Sequence, residues 1–143
     1  MIFICILIGL VRRRQMIIEY RLFKKSKLKD GADIVIKDRL YTPGAQGIRN
    51  RVLNCQNALV AIIIAYHNDK PVGCITLDLH PVKSKKQYFS IVNTWIKPSY
   101  RRKGIASVLL KRIQRHSNYL IAGYGSKSGS YFYKDRDIEC IKY

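Results

Sequence analysis

Acidic residues are scarce, and between Leu79 and Lys134 there are none. The same segment carries twelve lysines and arginines, among them Lys83, Lys85, Lys86, Lys97, Lys111, Arg112 and Arg115. Over the whole chain 27 Lys and Arg stand against 9 Asp and Glu, a formal net charge of +18. A field of that sign attracts polyanions and speeds their encounter. A polyphosphorylated small molecule, RNA and DNA are all candidates, and a merely solubilising basic surface suits the numbers as well as nucleic-acid binding does. Free polycations are disfavoured as ligands.

Cysteine is also sparse. Cys5, Cys55, Cys74 and Cys140 are widely spaced, form no Cys-x-x-Cys pair, and do not group with His67, His80 or His116. That pattern argues against a zinc site and leaves no metal expected. Reduced thiols in a cytoplasmic protein are the simple reading. Low-complexity tracts and internal repeats are missing. So is any apolar run long enough to span a bilayer. Met1 to Val11 is almost wholly apolar and is followed by Arg12-Arg13-Arg14, but it is about half the length a span needs. It has neither a positive n-region nor an obvious cleavage site, so it makes a poor signal peptide. A surface anchor backed by arginines, an added strand or helix, and an upstream start codon ahead of a true start at Met16 are the three readings. The last is preferred, because Met16-Ile-Ile-Glu-Tyr-Arg-Leu-Phe reads as a first strand by itself. Residues 1–15 are therefore set apart as an extension without stable membrane insertion, and 16–143 as one domain, for which the length is sufficient.

What is present alternates strand and helix patterns. Ile17 to Phe23 alternates as a strand, with Ile18, Tyr20 and Leu22 on one side. Lys24 to Lys29 reads as a basic connection. Asp33 to Leu40 suits a short helix with Val35, Ile36 and Leu40 inward, broken by Tyr41-Thr42-Pro43-Gly44. Ile48 to Leu53 suits a second one. Ala58 to Tyr66 is a near-continuous apolar run, as in a strand covered on both faces. The turn His67 to Pro71 returns the chain as a strand over Val72 to Leu79. Gly73 lies inside that strand, where close packing or a bulge is expected. After the basic loop Pro81 to Gln87 come a fourth strand, Tyr88 to Ile96, a fifth near Tyr119 to Gly123, and a short last one from Ile138.

The organising stretch runs from Val92 to Leu110. A strand ends at Ile96, Pro98 stops it, and a helix begins near Lys103-Gly104 with Ile105, Val108, Leu109 and Ile113 at the spacing of one apolar face. The first N–H groups of that helix lack internal partners and lie at the positive end of its dipole. Gly104 lets a ligand approach the backbone, Ala106 is nearly as small, and Arg101, Arg102 and Lys103 add full charges. A phosphate or pyrophosphate fits such a place.

Arg101-x-x-Gly104-x-Ala106, after a strand and a Pro-x-Tyr turn, resembles the acyl-CoA pyrophosphate loop of the GNAT acyltransferase superfamily, whose pattern is Gln/Arg-x-x-Gly-x-Gly/Ala. The resemblance covers residues 16–143 and is strongest over 58–112. It implies an α+β fold with a central, mostly antiparallel twisted sheet of about six strands flanked by helices. It also implies a strand four that splays from strand five at a bulge, with the pantetheine in the gap. The implied activity is transfer of an acetyl group from acetyl-CoA to a primary amine, directly in a ternary complex. Thr94, Trp95 and Ile96 then hold the pantetheine and acetyl group. Arg101, Arg102, Lys103, Gly104, Ile105, Ala106 and Ser107 hold the pyrophosphate, and Ser126 stands near a further cofactor contact. Phe132-Tyr133 matches the family's Phe-Tyr pair, making Tyr133 the general acid and Tyr131 its fallback.

Two departures accompany the match. Asn93 stands where many members carry a glutamate base, so a water wire, or Asp78 or His80, must serve if the amine does not arrive neutral. The Gly-Phe that usually follows Phe-Tyr is replaced by Asp137-Ile138, so the acceptor pocket is remodelled or completed by a second copy in a homodimer. The acceptor itself is not specified. The charge suits an amine on an acidic protein or a charged tRNA better than a free polyamine or aminoglycoside. A basic nucleic-acid- or protein-binding module that keeps the fold without turnover is the alternative.

Overall fold

The computed structural model describes residues 16–43, 59–80, 88–116, 120–124 and 139–142. The predicted helix at Ile48 to Leu53 and the extension 1–15 lie outside these residues. Six strands form one sheet in sequential order: β1 (Glu19–Lys24), β2 (Leu59–His67), β3 (Lys70–His80), β4 (Tyr88–Ile96), β5 (Leu120–Tyr124) and β6 (Glu139–Lys142). Strands β1 to β4 pair antiparallel. The β4–β5 and β5–β6 pairs are parallel. The expected mixed fold with a mostly antiparallel sheet is what forms.

The apolar run read as a doubly covered strand is one. In β2, Ala61, Ile63 and Ala65 face one core, with Ile75, Leu77 and Ile91. Ile62, Ile64 and Tyr66 face a second core on the opposite side. Each face is closed by a helix. Helix α1 (Leu28–Lys37) lays Ala32 and Val35 on the second core, and helix α2 (Ile105–Gln114) lays Ile105, Leu109, Leu110 and Ile113 on the first. The β2–β3 hairpin turns through Asn68 (φ 49°) and Asp69 (φ 61°). Two consecutive left-handed residues are what a two-residue hairpin turn demands, and Asn and Asp tolerate them best.

Several expectations need correction. Helix α1 begins at Leu28, five residues before the predicted start, and a 3-10 turn at Lys25–Lys27 replaces the basic connection. Gly31 hid this start, since glycine disfavours helix interiors. Here it is needed, because a Cβ at Gly31 would come within 2.8 Å of Phe23 Cβ on β1. In α2, Leu110 rather than Val108 is fully covered. Leu22 does not share the cover of Ile18 and Tyr20 and is 41% exposed. Gly73 has the close packing expected of it: a Cβ there would meet Ile96 Cδ1 at 2.6 Å and the Trp95 carbonyl oxygen at 3.0 Å.

Helix α1 ends in a motif that matters for the site. Arg39 is left-handed (φ 52°), Leu40 N–H donates to Val35 O at 2.9 Å, and Arg39 N–H donates to Ile36 O at 3.2 Å. This pair of bonds is a Schellman cap. It drives Leu40 fully inward beneath the sheet.

Candidate active site

The last β4–β5 pair is Ile91 with Ala122. Beyond it β4 runs on to Ile96 and β5 to Tyr124 without pairing one another. On its other side β4 stays paired to β3, but the register jumps from Leu77–Ile91 to Thr76–Asn93, so Val92 is a bulge. A bulge bends a strand and increases its twist. The bend and the parting of the strands thus begin at the same residue. The gap expected between strands four and five is present.

Backbone alternation fixes what faces the gap. Lys97 N–H donates to Val72 O at 2.8 Å. In an antiparallel ladder every second residue bonds to the same neighbour, so Trp95 and Asn93 also direct their backbone groups toward β3. Thr94 and Ile96 direct theirs toward the gap. The side chain of Trp95 lies on the α1 side of the sheet.

From Ile96 the chain enters a 3-10 turn at Pro98–Tyr100, pinned where Tyr100 Oη meets His67 Nδ1 at 2.8 Å. Arg102 is left-handed (φ 61°), and Gly104, the N-cap of α2, has φ 82°. No side chain caps this helix and its first turn holds no acid. A Cβ at Gly104 would meet nothing within 4 Å. The residues from Arg101 to Gly104 are exposed, whereas Ile105 is buried and anchors the first turn. The backbone of Ile105, Ala106 and Ser107 therefore opens the helix at its positive end beside open space, where an anion is favoured.

Arg101 behaves differently from its basic neighbours. Its Nε donates to Ile96 O at 2.9 Å, and its guanidinium lies 4.4 Å from the Trp95 ring centroid. It joins the loop to the end of β4, occupying the one carbonyl that Ile96 turns toward the gap. Charge counting alone would have treated it as one more phosphate contact.

Asn93 is 4% exposed, and its Nδ2 donates to Leu40 O at 2.9 Å and to Cys74 Sγ at 3.4 Å. The Cys74 thiol also donates to Leu40 O, at 3.3 Å. Asn93 thus ties the bulged strand to the cap of α1. Burial pushes the Cys74 thiol up to about 12, opposed by a backbone hydrogen bond from Trp95. It stays protonated at neutral pH and is no nucleophile. Asp78 is 1% exposed and is placed by strand alternation on the same face. Of His80 the structure describes only the backbone at the end of β3, and Tyr131, Tyr133 and Ser126 lie outside the described residues.

Among the described residues no group of three side chains could hold a metal, and no helix is long and apolar enough to cross a membrane.

Residues 35–119 match the model of the acetyltransferase (GNAT) family. No curated protein matches the chain. Solved structures do. Aminoglycoside N-acetyltransferase AAC(6')-Iy in complex with CoA is 17% identical, with TM-score 0.56 and 87% of each chain covered. The same enzyme with a bisubstrate analogue, CoA-S-monomethyl-acetylneamine, has TM-score 0.59 at 15% identity, covering 86% of this chain and 91% of that one. A predicted acetyltransferase from Clostridium acetobutylicum with acetyl-CoA has TM-score 0.57 at 21% identity, covering 86% of this chain and 90% of that one. At these identities the likeness carries the fold, and the family match spans more than half the sequence. This chain belongs to the GNAT acetyltransferase family.

Proposed function

We propose that the protein transfers an acetyl group from acetyl-CoA to a primary amine by direct attack, with no acyl-enzyme intermediate. The observation that carries this is the meeting of two features. The β4–β5 gap ends where α2 begins, uncapped, behind a left-handed glycine. The pyrophosphate sits on the amides of Ile105, Ala106 and Ser107, with Arg102 and Lys103 supplying charge. The pantetheine runs up the gap along the gap-facing backbone of Thr94 and Ile96, where the thioester carbonyl finds a fixed donor. Arg101 positions the loop. Tyr133 and Ser126 keep the roles that family resemblance gives them, Tyr133 protonating the departing thiolate.

The acceptor amine is carried on an acidic body, a protein or a charged tRNA. The net charge of +18 supports this. Some similar structures are aminoglycoside acetyltransferases, but free polycations meet an unfavourable field here.

Calorimetric titration with acetyl-CoA, with free CoA and ATP as comparisons, tests the reading. Gly104→Glu places a side chain in a strained conformation and a negative charge in the open space. It is expected to lose at least about tenfold in acetyl-CoA affinity, roughly 1.4 kcal/mol. Equal binding by the folded variant would refute the loop assignment.

A second reading, a binding protein without turnover, is favoured by one observation: the amide of Asn93 is committed to structure at the position where many members carry a base. Tyr133→Phe separates the two. An enzyme should lose about 100-fold or more in turnover with donor affinity kept, while a binder should lose nothing.

A further inference from the structure

The two helices that close the sheet differ in charge. Over residues 24–39, α1 with its flanks, six lysines and arginines meet three aspartates. Over residues 97–116, α2 with its flanks, seven meet no acid. The spacing repeats while the sign does not. On α1, Lys29, Asp33 and Lys37 follow at four-residue steps, so neighbours one turn apart alternate in sign. On α2 and the loop before it, the same steps carry Lys103, Ser107, Lys111 and Arg115. Helix α1 also obeys its dipole, with Asp30 in the first turn and Lys37 in the last. Helix α2 has Lys111 and Arg112 in its last turn but no acid in its first. A basic surface that served solubility alone would load both helices alike.

Several bases on this side are already engaged. Arg101 is bound to Ile96 and Trp95, Arg112 lies 4.7 Å from the Tyr20 ring centroid, and Arg102 and Lys103 belong to the donor loop. Lys111 and Arg115 carry no such role. Both are exposed, one turn apart, on the side of α2 opposite the buried Ile105, Leu109 and Ile113. Lys111 stands two turns of helix past Lys103, about 12 Å.

We propose that this outer face of α2 docks the phosphate backbone of a nucleic-acid duplex, with Lys111 and Arg115 each neutralising one phosphate. The inference concerns binding and goes beyond acetyl transfer: it holds whether or not the protein acetylates what it binds. Charge complementarity selects the partner. From Ser107 to Arg115 the chain offers no aromatic ring. Single strands are gripped by stacking bases on such rings, and protein partners by aromatic or apolar anchors at the centre of a contact. The exposed large apolar side chains among the described residues, Ile17 and Leu22, stand before and on β1 instead. What α2 offers is cations on a rigid rod, which suits regularly spaced phosphates and leaves the bases unread.

Fluorescence anisotropy of two short labelled DNA duplexes of unrelated sequence, titrated with the full chain across a salt series, tests this. Wild type should bind both with affinities within about twofold of each other, weakening as salt rises. Lys111→Gln combined with Arg115→Gln should reduce the slope of log affinity against log salt by about 1.8, two contacts at about 0.9 each. Lys29→Gln combined with Lys37→Gln removes the same charge from α1 and should leave the slope unchanged. Glutamine has nearly the helix propensity of lysine and arginine, and circular dichroism checks that both pairs fold. Wild type that does not bind a duplex at low salt overturns the proposal without any variant. An equal loss in the α1 pair does so too, since net charge and not this face would then be the cause. Poly-L-glutamate bound as tightly as the duplex would assign the face to an acidic protein and overturn it as well. So would acetyl-CoA affinity that falls together with duplex binding in the α2 pair, which would make these two residues donor contacts. Wild type that binds duplex but not acetyl-CoA refutes the transfer reading and leaves this one standing.

Discussion

At the scale of single residues, burial decides chemistry more than residue type does. Cys74 is a thiol that does not ionise near neutrality, since burial pushes it up to about 12. A folded-state value above that of the unfolded chain gives a stabilising contribution that is complete below the unfolded value. That contribution is lost as pH rises toward the folded value. The window here is from about 9 to about 12. Tyr20 and Tyr66 are raised as well, chiefly by burial and opposed by the guanidinium groups of Arg112 and Arg21, so they act in the same direction. Cys74→Ala is therefore expected to lose less stability than wild type when urea denaturation is repeated across that window. Parallel loss in both proteins would mean that the thiol plays no part.

At the scale of elements, the site is made by places where regular structure fails. The bulge at Val92 bends β4, the Schellman cap at Arg39 sinks Leu40, and the amide of Asn93 links the two. Gly73 sets how closely β3 and β4 approach at the far end of the bend. Gly73→Ala would force Ile96 and the Trp95 carbonyl to give way. It is expected to cost about 1–3 kcal/mol in chemical denaturation and to weaken acetyl-CoA binding, because Ile96 leads directly into the loop. Unchanged values for both would contradict the packing described. How much of this could be read from residues alone follows from the same features. β4 and the start of α2 were legible because Pro98 and Gly104 punctuate them and their apolar spacing is regular. The near-continuous β2 was legible from its β-branched run. The start of α1 was not, since Gly31 looks like a breaker until Phe23 is seen beneath it. The role of Arg101 was hidden because sequence shows a charge and not the carbonyl it seeks. The burial of Thr76 and Asp78 on β3 was hidden because sequence does not show that both faces of that strand are covered.

At the scale of the whole molecule, charge bears on the proposed acceptor. Loop and helix arginines and lysines on the exposed side, Arg102, Lys103, Lys111 and Arg115 among them, belong to a field that reaches beyond any one site. If a tRNA bears the acceptor, its affinity should fall steeply as salt rises, by about 0.9 of a log unit per log unit of salt for each phosphate neutralised on a duplex. Filter binding across a salt series checks this. Tight binding indifferent to salt, or none at all, would leave an acidic protein as the bearer.

The parting of β4 from β5 also governs how the molecule holds together. Strands β1 to β4 form a meander of neighbouring antiparallel pairs. Among the described residues strand β5 joins that meander through three residue pairs, Phe89–Leu120, Ser90–Ile121 and Ile91–Ala122. Strand β6 pairs in turn with β5. A slender molecule lying along the rest of the seam would act as mortar between two unequal leaves. Its binding energy would go into the folded state by mass action, so the supply of donor in the cell would set how long the smaller leaf stays shut.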